Sequence, residues 1–250
     1  FFLSLFKILS LTFSLDTISS ENLRIAYLAL RFTFYQAVLS TILTLLLGLP
    51  SAALFARYDF RGRSLLRAIT AVPFMLPTVV VAASFNSLFG PRGLPGTFLQ
   101  SSPNTFQPSP FSLILLAHVF YNTTIVIRIV GTALSSLDPK LEQTARSLGA
   151  GTFRVWWKVI LPLTVPAQST LAVFTFLGAW NDYWWPLISA TRSDMYTLTV
   201  GLASSQMNYA QASGLGFLMA QAVFASIPIF IVYIVFQKQI VRAMAGTAVR

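Results

Sequence analysis

The residues that could carry acid-base, nucleophilic or metal chemistry are few, since the chain has one histidine, seven carboxylate side chains and no cysteine. His118 and Asp182 could act as a general base and the group that orients it. The motifs GxSxG and HExxH do not occur, and a chain without cysteine forms no disulfide or thiolate metal site. We therefore predict no catalytic residue, no metal and no cofactor, and keep a membrane-embedded enzyme only as an alternative.

Six polar residues stand inside otherwise apolar stretches, where charged or amide side chains commonly mark a solute path. We predict that they line such a path, with Asn86 the weakest candidate. For some of them the alternative is hydrogen bonding between helices, and for others an aromatic belt with neighbouring tryptophans. The candidates are His118, Tyr121, Asn122, Asn181, Asp182 and Asn86.

Composition indicates that these residues lie in a membrane protein. Of 250 residues, 55% are hydrophobic and 10% are charged, a balance that leaves too little polar surface for a soluble domain. The net charge of +10 does not indicate nucleic-acid binding, because the basic residues lie in short segments between apolar stretches, where they set topology. Basic Arg128 lies inside a stretch, near one end, and we expect it to reach toward lipid phosphates.

The chain is predicted to be an all-α, polytopic membrane helix bundle of about six spans. Five stretches are long enough to cross a bilayer, at ~20 residues each. A further stretch at 1–13 is apolar but short and contains Lys7, so we interpret it as the remnant of a first, truncated span. The five complete spans are predicted over Gln36–Ala56, Ser64–Phe89, Phe111–Leu134, Val165–Ile188 and Leu215–Phe236.

Basic residues predict the orientation of the bundle. The loop at 57–63 with nearby Arg67, the segment after residue 134 and the C-terminus together hold eleven of them, against four on the other side. The side rich in Lys and Arg is expected to be cytoplasmic. The C-terminus is therefore predicted to be cytoplasmic, and the loop GPRGLPGTFLQSSPNTFQPSP to face outward.

An amphipathic helical hairpin is predicted on that cytoplasmic side, over about residues 135–163. Asp138 is a suitable N-cap, Pro139 suits the first helical position and Gly149 ends the turn, which predicts a helix over Pro139–Leu148 with Leu141, Ala145 and Leu148 on one face. A second helix is predicted from Thr152 until Pro162 stops it, with its large apolar residues on one face. They are Phe153, Trp156, Trp157 and Ile160. Such a hairpin either docks on a partner or lies at the headgroup level of the bilayer.

The hairpin LEQTARSLGAGTFRVWWKVILPLTVPA resembles the EAA loop of ABC-importer permeases, whose pattern is Glu-Ala-Ala, three residues, Gly, and a spacer ending in Ile-x-Leu-Pro. Aligned on Gly149 and Pro162, the glycine-to-proline spacing is 13 residues, as in that family. The first three positions fall on Gln143, Thr144 and Ala145, so two depart from Glu-Ala-Ala, while Glu142 stands one residue earlier.

The resemblance implies a single permease domain over 1–250 that couples to a separate ATPase. In that family the loop helix sits in a groove of a cytoplasmic ATPase. The implied partners are an ATPase dimer, a second permease subunit, an extracytoplasmic solute-binding protein and membrane lipid, with no nucleic acid. The chain lacks GxxxxGK[ST], so it is not expected to hydrolyse ATP alone. The ATPase-coupling residues implied are Leu141, Glu142, Gln143, Thr144, Ala145, Leu148 and Gly149.

The parts of the chain before and after residues 149–157 resemble different groups of these permeases. The stretches RFTFYQAVLSTILTLLLGLPSAALFARYDFRGRSLLRAITAVPFMLPTVVVA and LILLAHVFYNTTIVIRIVGTALSSLDPKLEQTARSLGA resemble permeases for ferric iron and thiamine. The stretch FLGAWNDYWWPLISATRSDMYTLTVGLASSQ resembles permeases for sugars and glycerol phosphates. The implied substrate is a small solute of one of these types, and the alternative function is a secondary transporter, or another polytopic protein, without an ATPase partner.

Overall fold

The protein is predominantly helical over the residues that the structure, a computed structural model, describes: 20–89, 93, 109–190, 195–207 and 215–248. The predicted all-α class is confirmed, and no strand occurs in these ranges. A five-residue π-helical turn, Trp156–Ile160, joins the helices Thr152–Val155 and Leu161–Asn181. The helices are α1 Ser20–Arg57, α2 Arg63–Met75, α3 Thr78–Phe89, α4 Pro110–Ser135, α5 Pro139–Ser147, α6 Thr152–Val155, α7 Leu161–Asn181, α8 Trp184–Ser189, α9 Leu198–Met207 and α10 Leu215–Ala248.

Four of these helical stretches are long and apolar enough to cross a membrane, and α2 with α3 makes a fifth if the interrupted pair counts as one span. The predicted remnant of a sixth span at 1–13 lies outside the described residues, as does most of the predicted outward loop. The continuous candidates are Arg24–Arg57, Pro110–Ser135, Thr152–Asn181 and Gln221–Lys238.

The first and last helices extend beyond the predicted spans. Helix α1 begins at Ser20 rather than Gln36, and α10 continues to Ala248 beyond Phe236. The added residues include Arg, Lys and Gln, which lower hydropathy but are strong helix formers. Hydropathy thus located the apolar part of each helix and missed its polar continuation.

Two predicted spans are interrupted. Leu76 has an extended backbone, φ −87° and ψ 140°, because the ring of Pro77 disfavours the α conformation in the residue before it, and this separates α2 from α3. The predicted span Val165–Ile188 also breaks, since α7 ends at Asn181 and α8 begins at Trp184. Prolines elsewhere, such as Pro50, remain inside helices, so proline alone did not indicate where a break would come.

The chain divides into two compact units, and α1, α4, α7 and α10 each contribute residues to both. The first unit comprises 1–39, 78–117 and 177–235. In it α3 packs against α8, where the rings of Phe85 and Trp185 meet edge to face with centroids 5.4 Å apart. Gln36 on α1 donates to the carbonyl of Ala179, at 2.7 Å. The start of α9, a helix that the sequence did not predict, is bound to α1 through Leu198 N–H and the Thr33 hydroxyl.

The second unit comprises 40–77, 118–176 and 236–250. Its core contains apolar residues of α1, α4, α6, the π-helical turn and α7. Helices α1 and α4 approach closely at Gly48, where an added Cβ would lie 2.6 Å from a methyl group of Val126. A small residue at this position lets the two backbones come together, as is common where membrane helices pack. The buried core residues are Ala52, Ala53, Val126, Val130, Leu134, Val155, Ile160 and Leu171.

Candidate functional site: the helical hairpin and the polar residues of the spans

The first hairpin helix begins where the sequence predicted. Asp138 has an extended backbone, and its carboxylate accepts the Lys140 N–H at 2.9 Å, which satisfies one of the unpaired donors of the first turn. Pro139 occupies the first turn, where its missing N–H costs nothing. The helix, α5, ends at Ser147, with Leu148 as its C-cap rather than its last residue.

The same helix ends in a Schellman motif. Gly149 has φ 82°, the left-handed conformation that glycine adopts readily. Its N–H donates to the carbonyl of Arg146 at 2.9 Å, and the Ala150 N–H donates to the carbonyl of Ala145 at 3.0 Å. Ala145 and Ala150 both pack against the core of the second unit, so the motif fixes the end of α5 on that core.

Glu142 ties α5 to the end of α1. One carboxylate oxygen accepts from Arg57, the last residue of α1, at 2.7 Å, and the other accepts from Arg146, one turn further along α5, at 2.8 Å. The side chains of Glu142 and Arg57 are 25% and 22% exposed, so solvent screens this pair only partly. The Glu142–Arg146 pair has the i, i+4 spacing that can be recognised in a helical sequence. The contact with Arg57 cannot be recognised in this way, because the two residues are 85 positions apart in the chain.

The exposed surface of α5 and its C-cap carries two leucines among polar residues. Leu148 is 83% exposed and Leu141 is 47% exposed, whereas Ala145, which we placed on the same face, is half-buried against the core. Gln143 and Thr144 are also exposed. Most of the predicted coupling residues therefore lie on the free surface of α5, and Glu142 and Ala145 are its attachments to the second unit.

The second hairpin helix begins at Thr152 as predicted, but its large apolar residues do not share one face. Ile160 is buried in the core of the second unit, whereas Phe153 and Trp157 are 81% and 61% exposed. These two rings stack in parallel, with centroids 6.3 Å apart. The π-helical turn is the physical reason, because its larger number of residues per turn breaks the 3.6-residue period on which the single-face prediction depended.

Pro162 does not stop this helix, so that prediction was wrong. The Leu161 N–H reaches back five residues to the carbonyl of Trp156, which closes the π-helical turn directly before the proline. A widened turn gives the pyrrolidine ring room, and the helix passes into α7 without a break. Downstream, the Thr164 hydroxyl donates to the carbonyls of Ile160 and Leu161 within the continuing helix.

Three of the predicted path residues lie on α4, in the second unit. His118 is 4% exposed, and its Nδ1 lies 2.9 Å from the Ser40 hydroxyl on α1. The Tyr121 hydroxyl donates to the Leu76 carbonyl at 3.0 Å, where α2 ends, and Asn122 is half-buried. The contacts of His118 and Tyr121 are of the kind that the interhelical alternative predicts. A path role for all three stays a prediction.

The other three path candidates belong to the first unit. Asn86 is exposed on α3, and Asn181, the last residue of α7, is exposed and donates to the Leu177 carbonyl at 2.9 Å. Asp182 is half-buried at the break before α8, where its main-chain carbonyl accepts the Thr199 hydroxyl at 2.8 Å. The aspartate thus lies at a helix interruption rather than within a continuous span.

The described helices define a polytopic membrane protein with a rigid helical hairpin between two of its spans. Residues 44–246 match the family of binding-protein-dependent transport system inner membrane components, and the chain belongs to this family.

Curated relatives include permeases of several transport systems. The chain is 28% identical to the diacetylchitobiose uptake system permease protein NgcG of Streptomyces coelicolor, over 81% of this chain and 63% of that protein. It is 31% identical to a probable sulfate transport system permease protein, cysT, of Prototheca wickerhamii, over 64% and 62% of the two chains. The thiamine transport system permease protein ThiP of Brucella abortus is 34% identical over 58% of this chain and 29% of that protein. The chain thus spans less than two thirds of the length of these relatives.

Solved structures share the fold. A bacterial ABC transporter involved in the import of the acidic polysaccharide alginate matches with a TM-score of 0.75 at 15% identity, over 93% of this chain and 88% of that one. The MetNI methionine ABC transporter in an inward-facing conformation matches with a TM-score of 0.61 at 16% identity, over 90% and 99%. At these identities the likeness establishes the fold, and the helical permease architecture predicted from the sequence is confirmed.

Proposed function

We propose that this chain is the permease subunit of an ATP-driven, binding-protein-dependent importer and that α5 is its coupling helix. The observation that carries the proposal is the pair of exposed leucines, Leu141 and above all Leu148, on a helix fixed at both ends and tied to α1. An exposed leucine on a short, rigid helix gains little by remaining in water, but it can fill a groove on a partner.

The attachments of α5 would let it transmit force. The Glu142–Arg57 pair connects it to the end of α1, and its Schellman motif places it against the core of the second unit. The helical stretch Thr152–Asn181 then runs from the hairpin into α7. Packed, hydrogen-bonded elements shift as bodies, so a displacement of α5 by a closing ATPase would reach α1 and α7 together.

The proposed assembly holds two permease subunits, identical or related, with two cytoplasmic ATPases and an extracytoplasmic solute-binding protein. Hydrolysis of ATP would belong to the ATPases. The single permease domain, 1–250, would lie in a prokaryotic plasma membrane with its C-terminus and the hairpin in the cytoplasm. Its path would be lined by some of the six polar candidates, with Asn122 and Asp182 the ones to test first.

For the solute, we propose a small polar molecule of the sugar type or of the ferric iron and thiamine type. Sugar and thiamine uptake systems both occur among the relatives, which supports the choice without deciding between them. Binding assays on the solute-binding protein that associates with the complex would decide it. Saturable binding of a sugar or of thiamine would identify the branch, and binding of neither with tight binding of another solute would overturn the choice.

The experiment for the function is co-purification followed by uptake. The tagged protein would be extracted in mild detergent, and the proposal expects an ABC ATPase in the purified complex. Reconstituted vesicles should then accumulate solute only with ATP. Uptake driven by an ion gradient, with no ATPase bound, would instead establish the alternative of a secondary transporter.

A further inference from the structure

A cavity of about 360 Å³, partly open to the surface and lined by both polar and apolar groups, lies in the second unit between α2, α4 and the end of α1. Arg67 of α2 and Arg128 of α4 both contribute to its wall, and no acidic residue does. Since a water molecule takes ~30 Å³ in the liquid, this volume holds a phosphate group together with several waters. The cavity is separate from the hairpin surface and from the predicted path residues.

The acidic residues of the second unit already pair with other arginines or cap a helix. Within its ranges the sequence has only Asp59, Asp138 and Glu142. Asp59 pairs with Arg63, Glu142 pairs with Arg57 and Arg146, and Asp138 caps α5. The unit has no further carboxylate of its own with which to balance the two cavity arginines.

Arg67 and Arg128 differ in this respect from the arginines nearby. Neither forms an ion pair with a carboxylate among the residues that the structure describes. Arg67 makes one long hydrogen bond, 3.3 Å, to the Phe55 carbonyl, a group that Arg63 also bonds at 2.7 Å. Both arginines are exposed at the cavity wall, so solvent screens their mutual repulsion, and an anion bound between them would pair with two guanidinium groups.

The threonine hydroxyl groups of the cavity wall have no free proton to donate to an anion. Thr124 donates to the Thr70 carbonyl across α4 and α2, and Thr70 donates to the Arg67 carbonyl, so both hydroxyl protons are already used. Thr132 likewise donates to the Arg128 carbonyl. The remaining donors of the wall are therefore chiefly guanidinium N–H groups, which match the oxygens of a phosphate in pairs.

We propose that this cavity binds a phosphate-bearing anion, held between Arg67 and Arg128. The shared chemistry fits the headgroup of an anionic phospholipid and a soluble phosphate compound alike. Arg128 lies seven residues before the end of α4, which is ~10 Å along a helix, at the end predicted to be cytoplasmic. Basic pockets between spanning helices at that depth are suited to lipid headgroups. The proposal does not depend on the transport function.

The test is native mass spectrometry of the complete complex after exchange into a neutral detergent. Bound lipid would be counted during titration with phosphatidylglycerol or with phosphatidylcholine of the same acyl chains. The variant Arg67→Gln/Arg128→Gln removes the site, and Arg61→Gln/Lys238→Gln is the matched control. The control removes the same two charges from exposed positions that do not line the cavity.

The wild type should prefer phosphatidylglycerol, and the site variant should lose roughly tenfold or more of that preference while the control keeps it. Competition by inorganic phosphate at constant ionic strength separates the sources. Displacement of the lipid, or a rise in the unfolding temperature that the site variant does not show, would assign the site to a soluble phosphate. No effect of phosphate, with lipid preference retained, would assign it to the lipid.

The proposal would be overturned if the site variant and the control lost the preference for phosphatidylglycerol equally. It would also be overturned if the wild type showed neither a lipid preference nor a response to phosphate. If the glutamine variant is not recovered as a folded complex, the variant Arg67→Lys/Arg128→Lys tests the site instead. It keeps both charges but not the forked donors, so a partial loss of binding supports a guanidinium site. Unchanged binding in that variant would show that the proposed pairing with phosphate oxygens is wrong.

Discussion

At the residue scale, the side chain of Glu142 connects α5 to α1. Its carboxylate links α5 to Arg57 of α1 and to Arg146 within α5, so one side chain orients the whole hairpin helix. The resemblance to the EAA pattern placed this glutamate one position early. In this chain it is directed to the second unit's own arginines, while Gln143 lies exposed beside it.

The Glu142–Arg57 pair should be worth ~1–2 kcal/mol, since it is charge-assisted and only about a quarter exposed. A double-mutant cycle with Glu142→Ala and Arg57→Ala would measure it from thermal unfolding of the detergent-solubilised protein. The exposed pair Arg63–Asp59 is the control, and its coupling should be only a few tenths of a kcal/mol. Equal coupling in both cycles would mean that Glu142 does not anchor α5.

Gly149 should not accept a β-branched residue. Its φ of 82° strains any L side chain, so Gly149→Val should cost ~1–2 kcal/mol locally and displace the end of α5, although nothing lies within 4 Å of the added Cβ. Transport should fall while membrane insertion and expression persist. Gly149→Asn is the matched control, since asparagine tolerates this conformation and should retain most uptake. Full uptake by the valine variant would show that the turn is not needed for coupling.

At the element scale, the hairpin has an attached side and an open side. Ala145, Val155 and Ile160 pack on or within the core of the second unit, which leaves Leu148, Phe153 and Trp157 exposed. The π-helical turn separates buried from exposed residues along the second helix. The exposed aromatic pair suits a partner surface and the headgroup region of a bilayer equally well.

Leu148→Asp should release the ATPase without unfolding the permease. The side chain is 83% exposed, so the change costs little in the isolated chain, but a carboxylate buried unpaired in a partner groove costs several kcal/mol. Leu141→Asp should act in the same direction. Co-purification of the ATPase measures the loss, and Ser136→Asp, at another exposed position, supplies the control.

Gln143→Glu adds the same charge on a different side of α5 and should be tolerated or tighten the contact. ATPase retained by both leucine variants would exclude the Leu141–Leu148 side as the interface. Release by Gln143→Glu as well would indicate that negative charge anywhere on α5 is sufficient, rather than charge on the apolar side.

At the scale of the whole molecule, the polar candidates fall into both compact units. His118 and Tyr121 already make hydrogen bonds, which weakens the case for them as path residues. Asn122 is half-buried, and Asp182 lies at a helix break. Breaks in spanning helices are tolerated where the backbone is buried in protein or faces a water-filled cavity, so Asp182 is the position at which a path would explain the local structure.

Cysteine labelling in this cysteine-free chain would test that path. Cysteine at Asn122 or Asp182 should react with a small polar thiol reagent, because a thiolate forms only where water reaches. Trapping the ATPases closed with a nucleotide analogue should change the labelling rate. Leu45→Cys, on α1 against the core, is the unreactive control. Rates no faster than the control in every nucleotide state would remove both residues from the path.

The C-terminus should be cytoplasmic, because the basic residues collect on that side of the spans. A protease site placed after Arg250 should be cut in inside-out vesicles and protected in right-side-out ones. The same site inserted in the segment 94–108 should give the opposite result. Cleavage of the C-terminal site from outside would invert the orientation and with it the assignment of α5 to the cytoplasm.

The sequence alone determined the features that depend on neighbouring residues. Apolar stretches of membrane length established the helical membrane class. Asp138, Pro139 and Gly149 located the first hairpin helix to within one residue, because capping interactions reach only two to five residues along the chain.

The tertiary structure decided what depends on distant residues. It gave Glu142 a partner 85 residues away, and packing of α5 on the core decided that Leu148 would be exposed and Ala145 covered. It also set the break at Asp182 and the π-helical turn that carries the helix past Pro162. A proline or polar residue within a membrane helix permits either a break or continuity, and the contacts made by neighbouring helices determine which of the two has the lower free energy.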